Sequence, residues 1–193
     1  VGGPVDYRIQ IYDPENDTWS VGALLPTPRD GVAVAAAKGK IYAIGGWGGF
    51  DTVEEYDPAT DTWASRRSMP TARGVAAAAV VNDKVYVTGG RNPSLPSDVL
   101  GTVEVYDPAS DTWTTVSPMP TRRLAAAAQV LNGRIYVIGG LGLSASNLVY
   151  QSIVEEYDPA SDAWTAKIPI ATPRGYSGSG VVNFRIYVAG GSN

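Results

Sequence analysis

The 193-residue sequence contains no cysteine, no histidine, two phenylalanines and two methionines. Disulfide frameworks, thiol nucleophiles, imidazole bases, Cys/His zinc sites and haem attachment are thereby excluded together, and no metal or cofactor is expected. Positive charge is also short. Fifteen Lys and Arg against nineteen Asp and Glu leave a net charge of −4, so no global field attracts nucleic acid or an anionic membrane. No apolar run approaches the ~20 residues of a membrane span, which argues against membrane insertion. The chain opens on Val1-Gly2-Gly3, neither a methionine nor a charged-then-apolar leader, and so reads as a processed chain or a fragment. The 44% hydrophobic content is that of a folded core in a single domain over residues 1–193.

What is present is a repeat. Tyr-Asp-Pro occurs at Tyr12-Asp13-Pro14, Tyr56-Asp57-Pro58, Tyr106-Asp107-Pro108 and Tyr157-Asp158-Pro159, and each Tyr is followed seven residues later by Trp19, Trp63, Trp113 or Trp164. The intervals between these tryptophans are 44, 50 and 51 residues. From every Trp a Gly-Gly follows at +26: Gly45-Gly46, Gly89-Gly90, Gly139-Gly140 and Gly190-Gly191. All variation in length therefore falls between Gly-Gly and the next Tyr. The units run approximately over residues 4–46, 47–90, 91–140 and 141–191.

Within a unit the signals are those of strands. β-branched and aromatic runs starting at Ile41, Val85, Ile135 and Ile186 end in Gly-Gly, and Val53, Val103 and Val154 open nearly alternating segments into Tyr-Asp-Pro. Lys38-Gly39, Asn82-Asp83 and Asn132-Gly133 suit tight hairpin turns with positive φ, whereas Asn183-Phe184 departs from that chemistry and predicts a looser turn. No segment carries a sustained helical period. Each unit thus reads as four antiparallel strands: a small-residue first strand, a second ending in Gly-Gly, a third ending in Tyr-Asp-Pro and a fourth starting at Trp. The aspartates two before each Trp, Asp17, Asp61, Asp111 and Asp162, are expected to bond to their own turns.

Gly-Gly, Tyr-Asp-Pro, the spaced Trp and the ~50-residue period resemble the kelch repeat, whose units are blades of a β-propeller. The resemblance covers the whole chain. It implies an all-β propeller of four kelch-type blades, either a closed four-bladed ring or part of a larger six- or seven-bladed one, with Gly-Gly, Tyr and Trp packing blade on blade. The ends are in phase, so the strands containing Tyr7 to Tyr12 and Ile186 to Ala189 are expected to pair, with the termini sharing one blade.

Alternating strands place the second-to-third connections and the connections between units on one face. An arginine sits ten residues after every Trp, at Arg29, Arg73, Arg123 and Arg174, just before the first strand. Four guanidiniums near one axis would grip carboxylate or phosphate; the structural alternative is that each caps backbone carbonyls or stacks on a blade aromatic. The resemblance adds that kelch adaptors use arginines near these positions to hold acidic peptides. Aromatics outside the repeat pattern supply further candidates: Trp47, Phe50 and Tyr150 in second-to-third loops and Tyr176 near the last first strand, with Arg91 opening the loop to Asp98. The Asn16-Asp17-Thr18 sequon coincides with a turn and is set aside.

These residues point to a non-catalytic binding module that holds a protein segment, acidic in one version, or a glycan. The alternative is a metal-free sugar isomerase resembling sialic acid mutarotases, in which Arg with Glu or Asp handles an anionic sugar. A third reading is a structural module of a larger surface or assembly protein. Kelch-type copper oxidases are contradicted by the missing His and Cys, and iron-dependent relatives are disfavoured on the same ground.

Overall fold

The computed structural model describes residues 7–95, 98–145 and 147–193. Val1-Gly2-Gly3, Pro96, Ser97 and Ser146, all touched by the expectations above, lie outside the described residues. Among those described there are eighteen strands and no helix. Three four-stranded antiparallel sheets form the centre of the chain. The first is β3 (Ala33–Ala37), β4 (Lys40–Ile44), β5 (Val53–Asp57) and β6 (Thr62–Arg66). The second is β7 (Ala77–Val81), β8 (Lys84–Thr88), β9 (Val103–Asp107) and β10 (Thr112–Val116). The third is β11 (Ala127–Leu131), β12 (Arg134–Ile138), β15 (Val154–Asp158) and β16 (Ala163–Lys167). Two half-sheets flank them, β1 (Arg8–Asp13) with β2 (Thr18–Leu24), and β17 (Gly178–Val182) with β18 (Arg185–Ala189). A hairpin that the repeat pattern does not announce, β13 (Leu141–Ser144) with β14 (Asn147–Tyr150), rises from the third blade's long loop.

Among the described residues no ladder joins the two half-sheets, so the expected pairing of β1 with β18 is not seen. The innermost strands pack as an arc, β3 on β7 on β11 on β17, and among the described residues β17 does not pack on β3 to the extent that these neighbours pack on one another. Small residues set that packing. Ala33, Ala35 and Ala37 are buried against Ala76, Ala78, Val80, Val85 and Val87 of the next blade, and the second junction repeats this with Ala79, Val81, Ile135 and Val137.

The repeat signature makes these junctions. The first glycine of Gly-Gly has φ near +65°, and a Cβ there would fall 2.2 Å from the Arg73 carbonyl oxygen at Gly45, 2.3 Å from that of Arg123 at Gly89 and 2.4 Å from that of Arg174 at Gly139. Only glycine admits the next blade's backbone at that distance. Trp63, Trp113 and Trp164 donate their indole N–H to carbonyls of the preceding blade, at Ala23 (3.4 Å), Arg67 (2.9 Å) and Ser117 (2.9 Å). Each also lies opposite the Tyr of its own blade, with ring centroids 5.0–5.2 Å apart.

Two further expectations change. The turns that accept their own backbone N–H use the aspartate of Tyr-Asp-Pro, as in Ala59 N–H to Asp57 at 2.9 Å. Asp61, Asp111 and Asp162 instead accept the Tyr hydroxyl of their own unit and a backbone N–H from the preceding blade, namely Ala23, Arg67 and Ser117, at 2.6–2.9 Å. Asn183-Phe184 keeps the tight geometry, with φ of 49° and 58°, because the Val182–Arg185 register leaves room only for a two-residue turn.

Candidate functional site

The connections between units and the second-to-third loops lie together on one face, tied by backbone bonds. Arg73 N–H donates to Phe50 O (3.0 Å), Arg123 N–H to Leu100 O (3.1 Å) and Arg174 N–H to Gln151 O (3.1 Å). Two residues after each arginine, a second set of bonds runs around the axis: Val75 N–H to Gly31 O, Ala125 N–H to Val75 O and Tyr176 N–H to Ala125 O, at 2.8–2.9 Å. All four residues of that series have positive φ, a conformation that a β-branched residue such as Val75 adopts only when its surroundings enforce it. Here the cross-blade bonds enforce it.

Three of the four candidate arginines are sealed beneath this face. Arg29, Arg73 and Arg123 are 5%, 0% and 1% exposed. Each pairs with a buried glutamate two residues before the Tyr of its own blade: Arg29 with Glu54 at 2.5 Å, Arg73 with Glu104 at 2.9 Å and Arg123 with Glu155 at 2.7 Å. The Thr two residues before each arginine donates its hydroxyl to the second carboxylate oxygen, Thr27 to Glu54, Thr71 to Glu104 and Thr121 to Glu155, at 2.7–2.9 Å. Carbonyls take further guanidinium protons, including Ala43 O, Val87 O and Val137 O of the second strands. The sequence-based picture of four arginines open to a ligand is thereby corrected, because these three already hold a carboxylate. Burial pulls the Arg73 guanidinium below its ordinary range against the pull of Glu104, and brings Arg123 down to about 10 against that of Glu155. The recurrence of Glu54, Glu104 and Glu155 two residues before each Tyr was legible, while their contact with the arginines follows from the strand register.

Arg174 differs. It is half-buried, donates to Gly190 O at 2.8 Å, and has no carboxylate partner among the described residues.

The non-repeat aromatics are divided into two groups. Trp47 is 50% exposed, with the Arg91 guanidinium 5.8 Å from its ring centroid, and Arg91 is itself ion-paired to Asp98 at 2.7 Å. Phe50 lies in the same loop, and Trp47, Gly48, Gly74, Arg91 and Pro93 enclose a cavity of about 120 Å³. Tyr150 packs with Val75 on a buried cluster of Val99, Leu124, Ala125 and Leu141, and the exposed Tyr176 adjoins that cluster through its bond to Ala125. The β13–β14 hairpin, missed by sequence reasoning, adds exposed Leu143 and Leu148, which are cross-strand partners on the Leu141–Tyr150 face.

Comparison with known proteins adds the decisive observation: the family model described as the KLHDC2/KLHL20/DRC7 Kelch-repeats domain matches residues 12–191. The chain belongs to the kelch-repeat family. Kelch-like protein 4 of Homo sapiens is 45% identical over 49 residues, 24% of this kelch chain and 7% of that protein. Kelch-like protein 1 of Mus musculus is 44% identical over 45 residues, 23% of this chain and 6% of that one. The matches therefore span less than a tenth of these relatives. Among solved structures, that of YjhT superimposes with a TM-score of 0.70 at 18% identity, covering 80% of this chain and 54% of that chain, a likeness of fold.

Proposed function

We propose that this kelch-repeat chain is a non-catalytic interaction module that holds an extended protein segment on the face built by the second-to-third loops and the connections between units. The observation that carries the reading is Trp47, half exposed beneath Arg91 at a position the blade architecture does not prescribe: the residues following the other Gly-Gly pairs are Arg91, Leu141 and Ser192. Exposed aromatic and arginine side chains are the usual anchors of protein interfaces. Tyr150, Tyr176, Leu143 and Leu148 extend the same surface. Phe50 and the half-exposed Arg174 border it, and Arg91 offers charge to an acidic residue of the partner once Asp98 yields. Arg29, Arg73 and Arg123 support the surface from below. A glycan is the alternative occupant of the same aromatics.

The test is selection from a displayed peptide library, followed by titration of the selected peptide into wild type and Trp47→Ala. Saturable binding that falls at least ~10-fold in the variant, at unchanged unfolding midpoint, supports the site. Turnover of sialic acids in metal-free buffer would replace this reading with the sugar-isomerase one.

A further inference from the structure

We propose that the cleft between the second and third blades, on the face opposite the loops, binds a small organic acid whose carboxylate accepts the Tyr86 hydroxyl. The site is separate from the loop face and stands independently of the reading given for it.

The second strand of each complete blade carries one tyrosine, at Tyr42, Tyr86 and Tyr136. Strand register sets each against one residue of the third strand: Tyr42 against Glu55, Tyr136 against Glu156, but Tyr86 against Val105. The Tyr42 hydroxyl accordingly donates to Glu55 at 2.8 Å, and that of Tyr136 donates to Glu156. A cation of the fourth strand neutralises each glutamate, Arg66 at 2.8 Å and Lys167 at 3.0 Å. The second blade has neither member, because Val105 and Val116 stand in those two places. It keeps the phenol all the same. Tyr86 packs against Tyr157 with ring centroids 6.0 Å apart and is 9% exposed, and its hydroxyl has no hydrogen-bond partner among the described residues. Packing alone would be served by phenylalanine, so the hydroxyl calls for an acceptor from outside the fold.

Tyr86 lines a cleft of about 550 Å³, a volume within the ~300–1,000 Å³ of small-molecule sites. Lys84 stands on the same wall, and Arg134 and Asp158 stand on the facing one. The groups left to a ligand are donors. Lys84 directs one of its three N–H groups to Asp107 at 3.3 Å with its side chain 50% exposed. Arg134 reaches Glu156 at 2.7 Å and Asp158 at 3.2 Å and is still 47% exposed. The carboxylates nearby are already engaged: Asp107 and Asp158 also accept the N–H of Ala109 and Ala160, at 2.9 and 3.0 Å, and Asp162 accepts the Tyr157 hydroxyl at 2.6 Å. Burial and the charge of Asp162 hold the Tyr86 phenol above its ordinary range, which keeps it a donor. A carboxylate complements this set of donors, and it is the group that the phenols of the first and third blades already hold. Val81 and Pro159 supply apolar wall for the body of the acid.

The experiment is two-dimensional amide NMR of the 193-residue chain titrated with benzoate, with benzamide as an uncharged probe of the same shape. Benzoate is expected to give saturable shifts centred on residues 82–86, 132–134 and 158–160, and benzamide to bind at least ~10-fold more weakly. Tyr86→Phe should weaken benzoate at least ~10-fold with an unchanged unfolding midpoint, since the hydroxyl bonds to nothing in the fold. Tyr42→Phe removes the same atom at the first junction and should leave benzoate affinity as it is. A capped peptide with a central aspartate is expected to bind no better than benzoate; tighter binding at the same residues would assign the cleft to a protein segment and overturn the small-acid proposal. Absence of a saturable shift overturns it too, as do shifts elsewhere on the chain, equal affinity for benzamide, or a Tyr86→Phe variant that binds like wild type or unfolds earlier. Equal weakening by Tyr42→Phe has the same consequence.

Discussion

Arg73 and Arg174 occupy the same place in the repeat, ten residues after Trp63 and Trp164, but their surroundings differ. Arg73 is sealed from solvent and paired with Glu104, whereas Arg174 is half-buried with Gly190 O as its acceptor. The residue type and its place between Thr and Gly, two before and one after, are the same; what differs is the third strand, which brings Glu104 to one arginine, whereas no third strand pairs with β18 among the described residues. A repeated residue therefore takes its role from the neighbouring strand or blade. The glycines teach the same lesson. Gly89 and Gly190 share φ of +66°, but a Cβ at Gly89 would strike the Arg123 carbonyl at 2.3 Å, while at Gly190 it would meet nothing within 4 Å.

The largest expected effect comes from breaking an interior pair. Glu104→Ala leaves the Arg73 guanidinium buried without a counter-charge, with its Nε and Nη1 already lacking acceptors, and should cost ~3–5 kcal/mol in chemical denaturation. Next, Gly89→Ala should destabilise by more than the ~1–2 kcal/mol of left-handed strain alone, whereas Gly190→Ala should cost no more than that strain. Equal losses at the two glycines would contradict a packing role for the first Gly of the pair.

Acid sensitivity sharpens the comparison further. Burial pushes the Glu156 carboxyl up, but hydrogen bonds from Tyr136, Lys167 and Arg134 outweigh it and bring it to about 2. A depressed folded-state value contributes stability that is fully present above the ordinary 4.5 and is lost as pH falls toward 2. Glu156→Gln should flatten the stability curve over that window. β1 has Ile11 at the corresponding position, so the N-terminal half-sheet lacks this carboxylate. The smallest stability effect belongs to Trp47→Ala, expected within about 1 kcal/mol of wild type because the ring is half exposed, even as peptide binding falls.

Much of the fold was legible because its determinants are local or strictly periodic. The Asn82-Asp83 and Asn132-Gly133 turns, the Gly-Gly ends and the Tyr–Trp spacing each carry their conformational reason in the sequence. The site was less legible. The exposure of Trp47 and the aromatic character of Tyr150 and Tyr176 could be read by subtracting the repeat. The burial of Arg29, Arg73 and Arg123 depends on glutamates 25, 31 and 32 residues downstream, whose recurrence was visible but whose contact needed the strand register. The β13–β14 hairpin escaped because Leu141-Gly142-Leu143-Ser144 is short and lacks a hairpin-turn dipeptide. The arc escaped because repeat phase specifies which strands match, while the angle between blades is set by packing at the axis.

The central claim, that the recurring arginine is a blade-locking residue where a glutamate reaches it and not where none does, is tested most directly by thermal unfolding of Arg73→Ala beside Arg174→Ala. The predicted result is a loss of ~3–5 kcal/mol for Arg73→Ala, a fall of about 6–20 °C in a chain of this size, against a shift of a few degrees or less for Arg174→Ala. Two small and equal shifts, with peptide binding abolished in Arg73→Ala, would contradict it.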